Sequence, residues 1–330
     1  MKQFLQKKAK LVFLCMLVLL TCTACANPRG RDGKTLADQI IASEETTIDA
    51  SQINYKDISD KELKKEIKKN IKDGQYTIQP TTFKNSMSKG WFEGLIVWPI
   101  AQIINLISSK TDAGVGIILT TLLIQMLVFV FTRKSQMSTQ RMQEISPEIQ
   151  KIQNKYKDKT DERSKMQMAQ EMQNLYQKYD IHPFGSMLIT FIQLPIMMGM
   201  YYATMRSVSV VSGSFMGISL AGTPLDGFKA FDIAYIAIYV LMVIFYIVSM
   251  KLPQWLKKWQ DKKDNVKVKK YAQEETNPMA NSMNMSMYFM TAMICIMYIS
   301  WPMAMSFYWL VSSVIRVCQS LILHKVMNKK

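Results

Sequence analysis

WPMAMSFYWLVSSVIRVCQSLIL, residues 301–323, is a hydrophobic stretch with an arginine, Arg316, well inside it. No charged residue occurs between Glu275 and Arg316, a run long enough for two bilayer-spanning helices broken at Ser300-Trp301-Pro302. At helical spacing Trp309, Ser312, Ser313, Arg316, Gln319 and Ser320 fall on one face, so a polar stripe runs along an otherwise apolar helix. A charge at the bilayer centre costs about 2.5–3.5 kcal/mol on insertion scales, and such residues face a bundle interior or a water-filled cavity. Arg316 is therefore the first pointer to function.

The composition agrees with a membrane protein that carries wet loops: 49% of the 330 residues are apolar and 20% are charged. The formal net charge of +16 is concentrated in Lys and Arg beside the apolar runs, which is a topology signal before it is a nucleic-acid signal. No RNA- or DNA-binding motif accompanies it, so direct sequence-specific nucleic-acid binding is not expected. A basic tail is nevertheless compatible with ribosome contact. Cys15, Cys22 and Cys25 lie at the N-terminus and Cys295 and Cys318 in apolar segments, a distribution that offers neither a disulfide framework nor a metal site.

Lys2, Lys7, Lys8 and Lys10 precede an apolar run from Leu11 to Leu20, the layout of a secretory signal over residues 1–24. Its end, Cys22-Thr23-Ala24-Cys25, resembles a bacterial lipoprotein processing box with Cys25 as the lipidated (palmitate-bearing) residue, although Cys22 stands where leucine is usual; the alternative is an uncleaved signal anchor, which leaves the downstream topology the same. Residues 25–89 read as a polar extracytoplasmic segment in which only Asp60 to Asp73 looks helical. Residues 90–109, GWFEGLIVWPIAQIINLISS, are apolar but interrupted by Glu93 and Pro99, which suits a helix lying on the outer leaflet and anchored by Trp91 and Trp98.

Five spans follow within residues 110–330: Gly114–Phe131, Phe184–Met205, Ile233–Met250 and the hairpin of two around Ser300-Trp301-Pro302. The lysine-rich loops 133–182 and 251–284 are then cytoplasmic, as is the C-terminus, with the N-terminus outside. In the first loop, Ser146-Pro147 starts a helix with Ile149, Ile152 and Tyr156 on one face. A second helix sets Met168, Met172, Leu175 and Tyr179 on another, and the two form a helical hairpin. The expected fold class is an all-α polytopic membrane protein, a five-transmembrane-helix bundle with a cytoplasmic helical hairpin and an outer interfacial helix.

Gln125, Gln193 and Arg316 each lie about eight to ten residues from a cytoplasmic boundary, about 12–15 Å deep at 1.5 Å per residue. Thr121 is one turn from Gln125, and Thr190 adjoins Gln193 on the second span. Two readings of this polar level stand side by side: a hydrated groove open to the cytoplasm, or interhelical hydrogen bonds worth about 0.6 kcal/mol each. Arg316 favours the groove, because a guanidinium keeps its charge and no Asp or Glu occurs in any predicted span. The candidate groove residues are Arg316, Gln125, Gln193, Gln319, Trp309, Thr121, Thr190 and Ser312. Methionine-rich stretches such as QLPIMMGMYYATM add flexible side chains that can repack around varied apolar partners, while any single Met reads equally well as helix-compatible core.

The chain from Trp91 to Lys325 resembles the YidC/Oxa membrane protein insertase family, in its short Gram-positive form with a lipoprotein signal. The resemblance rests on the interfacial helix, on MQEISPEIQKIQNKYKDK, on HPFGSMLITFIQLPIMMGMYYATM and on MAMSFYWLVSS. It implies a non-enzymatic insertase without cofactor that works alone or beside the Sec translocon, its partners being nascent membrane proteins and the lipid bilayer. It also implies a groove that receives a substrate's polar tail while the apolar segment leaves along the second and fifth spans. Three positions depart from the family pattern. Gln125 stands where Gram-positive members place a groove arginine, Val130 where proline is common, and Tyr246 near a usual glutamine. Arg316 occupies a usually apolar position, as if the positive charge had moved to another helix. These departures keep a specialised paralogue with narrow substrates in view. A transporter using Arg316 as an anion site is the rival class, against which stand the absence of an internal repeat and of paired broken helices.

Overall fold

The computed structural model describes residues 28–157, 159, 161–181, 184–263 and 278–327; the predicted signal and Cys25 lie outside them. The elements used below are β1 (Thr35–Leu36), β2 (Thr46–Asp49), β3 (Ile53–Asn54), α1 (Lys61–Asn70), β4 (Gln75–Ile78), α2 (Trp98–Ser108), α3 (Ala113–Glu144), α4 (Ser146–Tyr156), α5 (Glu162–Lys178), α6 (Phe184–Arg206), α7 (Ile233–Lys263), α8 (Pro278–Tyr298) and α9 (Met303–Met327). Among the described residues three helices are long and apolar enough to cross a membrane: Ala113–Met142, Ile233–Gln260 and Met303–Val326. The mainly helical fold class is as read. The expected second and fourth spans are helical in α6 and α8, over 23 and 21 residues, but are not among those three.

The chain forms two compact units. The first holds the described residues up to Gln125 with Phe191–Met242 and Ile299–Ser312; the second holds Met126–Thr190, Val243–Tyr298 and the chain from Ser313.

In the first unit, residues 28–89 are folded, with short strands that the all-helical reading did not contain. β1 pairs with β3 in parallel, and β2 pairs with β4 antiparallel in the register Thr46↔Ile78 to Asp49↔Gln75. Asp60 caps α1, its carboxylate accepting from the N–H groups of Glu62 and Leu63, and Ile67 is buried. Ile40, Ile48, Ile53, Ile67 and Ile78 form a core shared with Val208 and Val211, which follow α6.

The expected interfacial helix runs through Glu93 and Pro99 without a break. Residues Glu93–Val97 form a π-turn and α2 continues it. Pro99 has no N–H to give to the carbonyl one turn back, and the widened turn ahead of it fits the ring. One face of α2 is tied to the N-terminal segment. The Trp98 indole N–H donates to the Thr81 carbonyl at 2.8 Å, Gln102 to the Ala42 carbonyl at 3.1 Å and Asn105 to the Ile41 carbonyl at 2.8 Å. Trp98, read as a membrane anchor, thus spends its donor inside the protein.

In the second unit, α4 and α5 pack on each other around Ile145, Leu175 and Ile181, with Ile149, Ile152, Tyr176 and Tyr179 against them. Two boundaries move. α3 continues past the predicted end of the span to Glu144, and Ser146, read as the N-cap of the next helix, is its first helical residue after Ile145. Likewise α7 extends to Lys263, into the stretch read as a loop from residue 251. Both helices exceed the roughly 20 residues that a hydrocarbon core needs, so each projects beyond it.

Candidate functional site

The polar stripe of α9 forms because Ser, Arg and Gln recur at helical spacing in a segment whose other positions are apolar. Trp309, Ser312 and Ser313 are buried, while Arg316, Gln319 and Ser320 are half-buried. In the first unit the Gln125 amide, itself buried, donates to the Ser312 hydroxyl at 3.1 Å. The Gln193 amide donates to the Tyr308 hydroxyl at 3.1 Å. These are interhelical bonds of the second kind considered above, α3 to α9 and α6 to α9. Thr121 is buried and returns its hydroxyl to the Ile117 carbonyl of its own helix at 2.7 Å. The Thr190 side chain lies outside the described residues.

In the second unit, Arg316 donates to the Ser313 hydroxyl at 3.1 Å, one turn back on the same helix. The structure therefore joins Gln125 to Ser312 and Gln193 to Tyr308. It sets Arg316, Ser313 and Gln319 on the part of α9 that belongs to the other unit. Among the described residues no group of three or more His, Cys, Asp or Glu could hold a metal ion.

Sequence reasoning missed Tyr308, which is fully buried. The signal was present, since Tyr308, Ser312 and Arg316 follow at steps of four. It also missed the ion pair between Arg206, at the end of α6, and Glu93 of the π-turn, both almost wholly buried. Arg206 additionally stacks on the Tyr202 ring at 5.5 Å. Asn105, Ser207 and Ile41 form a further buried junction, in which the Ser207 hydroxyl donates to the Asn105 amide oxygen at 2.6 Å. Close by, burial pushes the Lys89 ammonium below its ordinary range, with Arg206 adding to the effect; the Lys89 ammonium donates to the Asp38 carbonyl at 2.7 Å.

A family model described as 60Kd inner membrane protein matches residues 105–330. The chain belongs to this family. Among its relatives, membrane protein insertase YidC 1 of Streptococcus pyogenes is 31% identical over 237 residues, 72% of this chain and 75% of its own. Membrane protein insertase YidC of Enterococcus faecalis is 30% identical over 237 residues, 72% of this chain and 76% of its own. Membrane protein insertase MisCA of Bacillus subtilis is 27% identical over 238 residues, 72% of this chain and 80% of its own. Family membership and the apolar helices make this a multi-pass membrane protein. The family match begins after Glu93, so the folded segment 28–89 and the π-turn precede it.

Proposed function

We propose that the chain inserts membrane proteins, guiding a hydrophobic segment from a polar, cytoplasm-facing entry into lipid. In this reading Cys25 is lipidated outside, five spans follow, and the packed pair α4–α5 and the C-terminus are cytoplasmic. The observation that carries it is Arg316, a half-buried cation on the polar stripe of a helix apolar enough to span.

The substrate's translocated tail brings acidic groups. Arg316 and Gln319 receive them, a guanidinium being suited to paired carboxylate contacts. The groove expected from the sequence also takes in Trp309, Ser312, Thr121, Gln125, Thr190 and Gln193. The bonds between Gln125 and Ser312 and between Gln193 and Tyr308, worth about 0.6 kcal/mol each, have to open for a passing polar group to take their place. The apolar segment then leaves for lipid, driven by about 25 cal/mol for each Å² of apolar surface removed from water. No nucleotide enters this scheme. Work beside the Sec translocon and contact of the basic tail with a ribosome belong to the same proposal.

Purified full-length protein in liposomes tests it. Protease protection of a small membrane protein with an acidic translocated tail should rise above that in empty liposomes. Insertion no better than in empty liposomes, together with anion flux that Arg316→Ala abolishes, would place the chain among transporters instead.

A further inference from the structure

The last three turns of α7 read LPQWLKKWQDKK, residues 252–263. The helix has 31 residues, about 46 Å at 1.5 Å each, against a hydrocarbon core about 30 Å thick. A span starting at Ile233 therefore leaves the core near Lys251–Pro253; residues 254–258 cross the headgroup layer, about 5–7 Å thick, and residues 259–263 lie just beyond it, with side chains that tilt back toward it because Cα–Cβ bonds lean toward the helix N-terminus. Here Trp255 and Trp259, one turn apart, are 51% and 60% exposed. Lys258, Lys262 and Lys263 are exposed beside them, and the Lys263 ammonium sits 5.6 Å from the centre of the Trp259 ring. Lys257 points the other way and donates to the Glu144 carbonyl at the end of α3, at 2.7 Å. This contact lies on the side of α7 away from Trp255, Trp259 and Lys262, which stay exposed.

We propose that this face is a binding site for an anionic phospholipid headgroup, its phosphate held among Lys258, Lys262 and Lys263 and its glycerol region lying against Trp255 and Trp259. Indole combines an apolar body with one N–H donor and favours the interfacial layer. Tryptophan alone accepts a zwitterionic surface; the lysine cluster selects an anionic one. Nucleic acid would also attract the lysines, but the covalent continuity of this face with a span fixes it beside headgroups. The inference rests on α7 crossing the bilayer and not on the insertase reading.

The test uses the full chain in phosphatidylcholine bilayers carrying a minor fraction of brominated phosphatidylglycerol, or of brominated phosphatidylcholine. The quenching due to Trp255 and Trp259 is isolated by difference from the Trp255→Phe, Trp259→Phe variant. Quenching should favour phosphatidylglycerol by about fivefold or more, since one lysine near an anionic surface supplies about that factor. The preference should fall with salt, vanish in the triple Lys→Gln variant at 258, 262 and 263, and survive in the triple Lys→Arg variant. Equal quenching by the two lipids overturns the proposal. So does a preference that the Lys→Gln variant keeps, or a variant that loses ribosome binding while its lipid preference is unchanged.

Discussion

Removing the guanidinium of Arg206 leaves the Glu93 carboxylate buried without its counter-ion, and stranding one member of such a pair costs about 3–5 kcal/mol. Arg206→Met should therefore lower the thermal unfolding midpoint in detergent sharply. Adding Glu93→Gln should recover most of the loss, because the desolvated charge has gone. An equally unstable double variant would mean that the pair holds the π-turn by shape and not by charge. At the same scale, a double-mutant cycle of Gln193→Leu and Tyr308→Phe should give a coupling near 0.6 kcal/mol, the value of an interhelical bond within a membrane. Coupling of several kcal/mol would contradict the exchangeable bond that the mechanism uses. Arg316 was legible because a charge in an apolar run stands out. The partner of Gln193 was not, because a buried tyrosine in such a run looks like any other apolar residue until the facing helix is known.

Among the elements, α4 and α5 carry their own pH dependence. Lys155 and then Tyr156 hydrogen-bond to Glu171 and hold its carboxyl below the ordinary range, while the Glu171 contact raises Lys155. A carboxyl lowered on folding adds stability that is present above its unfolded pKa, near 4.3, and is lost as pH falls through the lowered folded value. Hydrogen-exchange protection of Glu162–Lys178 should thus hold from neutral pH to about pH 5 and fall in more acid solution, and Glu171→Gln should weaken the dependence, leaving the part due to Asp161, the N-cap of α5, whose carboxyl the Ser164 N–H also holds below its ordinary range. Protection that changes with pH equally in both proteins would assign the effect to other groups. The amphipathic faces of this pair were readable, since Ile149 and Ile152 recur at three and Leu175 and Tyr179 at four, and all of them pack at the shared core. Helix ends were less so. A basic residue such as Arg133 or Lys251 marks where a helix leaves hydrocarbon, and nothing at those positions stops the backbone hydrogen bonds.

Over the whole molecule, the sequence disclosed the apolar helices and hid the folded segment ahead of them. Of the core isoleucines of residues 40–78, Ile48, Ile53 and Ile78 stand singly in strands of two to four residues, too short for an alternating pattern, Ile67 is alone on α1 and Ile40 lies outside any strand, and their core is completed by Val208 and Val211 from far along the chain. No local period reports such a contact. The backbone joins the two parts directly, the Ile41 N–H donating to the Arg206 carbonyl at 2.6 Å and the Val208 N–H to the Ile41 carbonyl at 3.0 Å. Functionally, the central claim is that a cation on the polar stripe of α9 receives acidic substrate tails. Its most direct test is the insertion rate of one acidic-tailed substrate in insertase-depleted vesicles supplied with wild type, Arg316→Ala, or Gln125→Arg combined with Arg316→Met. The mechanism predicts that the alanine variant fails and that the swapped protein, with its charge restored on α3, inserts. Equal insertion by all three would contradict it, leaving the polar groups of the spans to act without a cation.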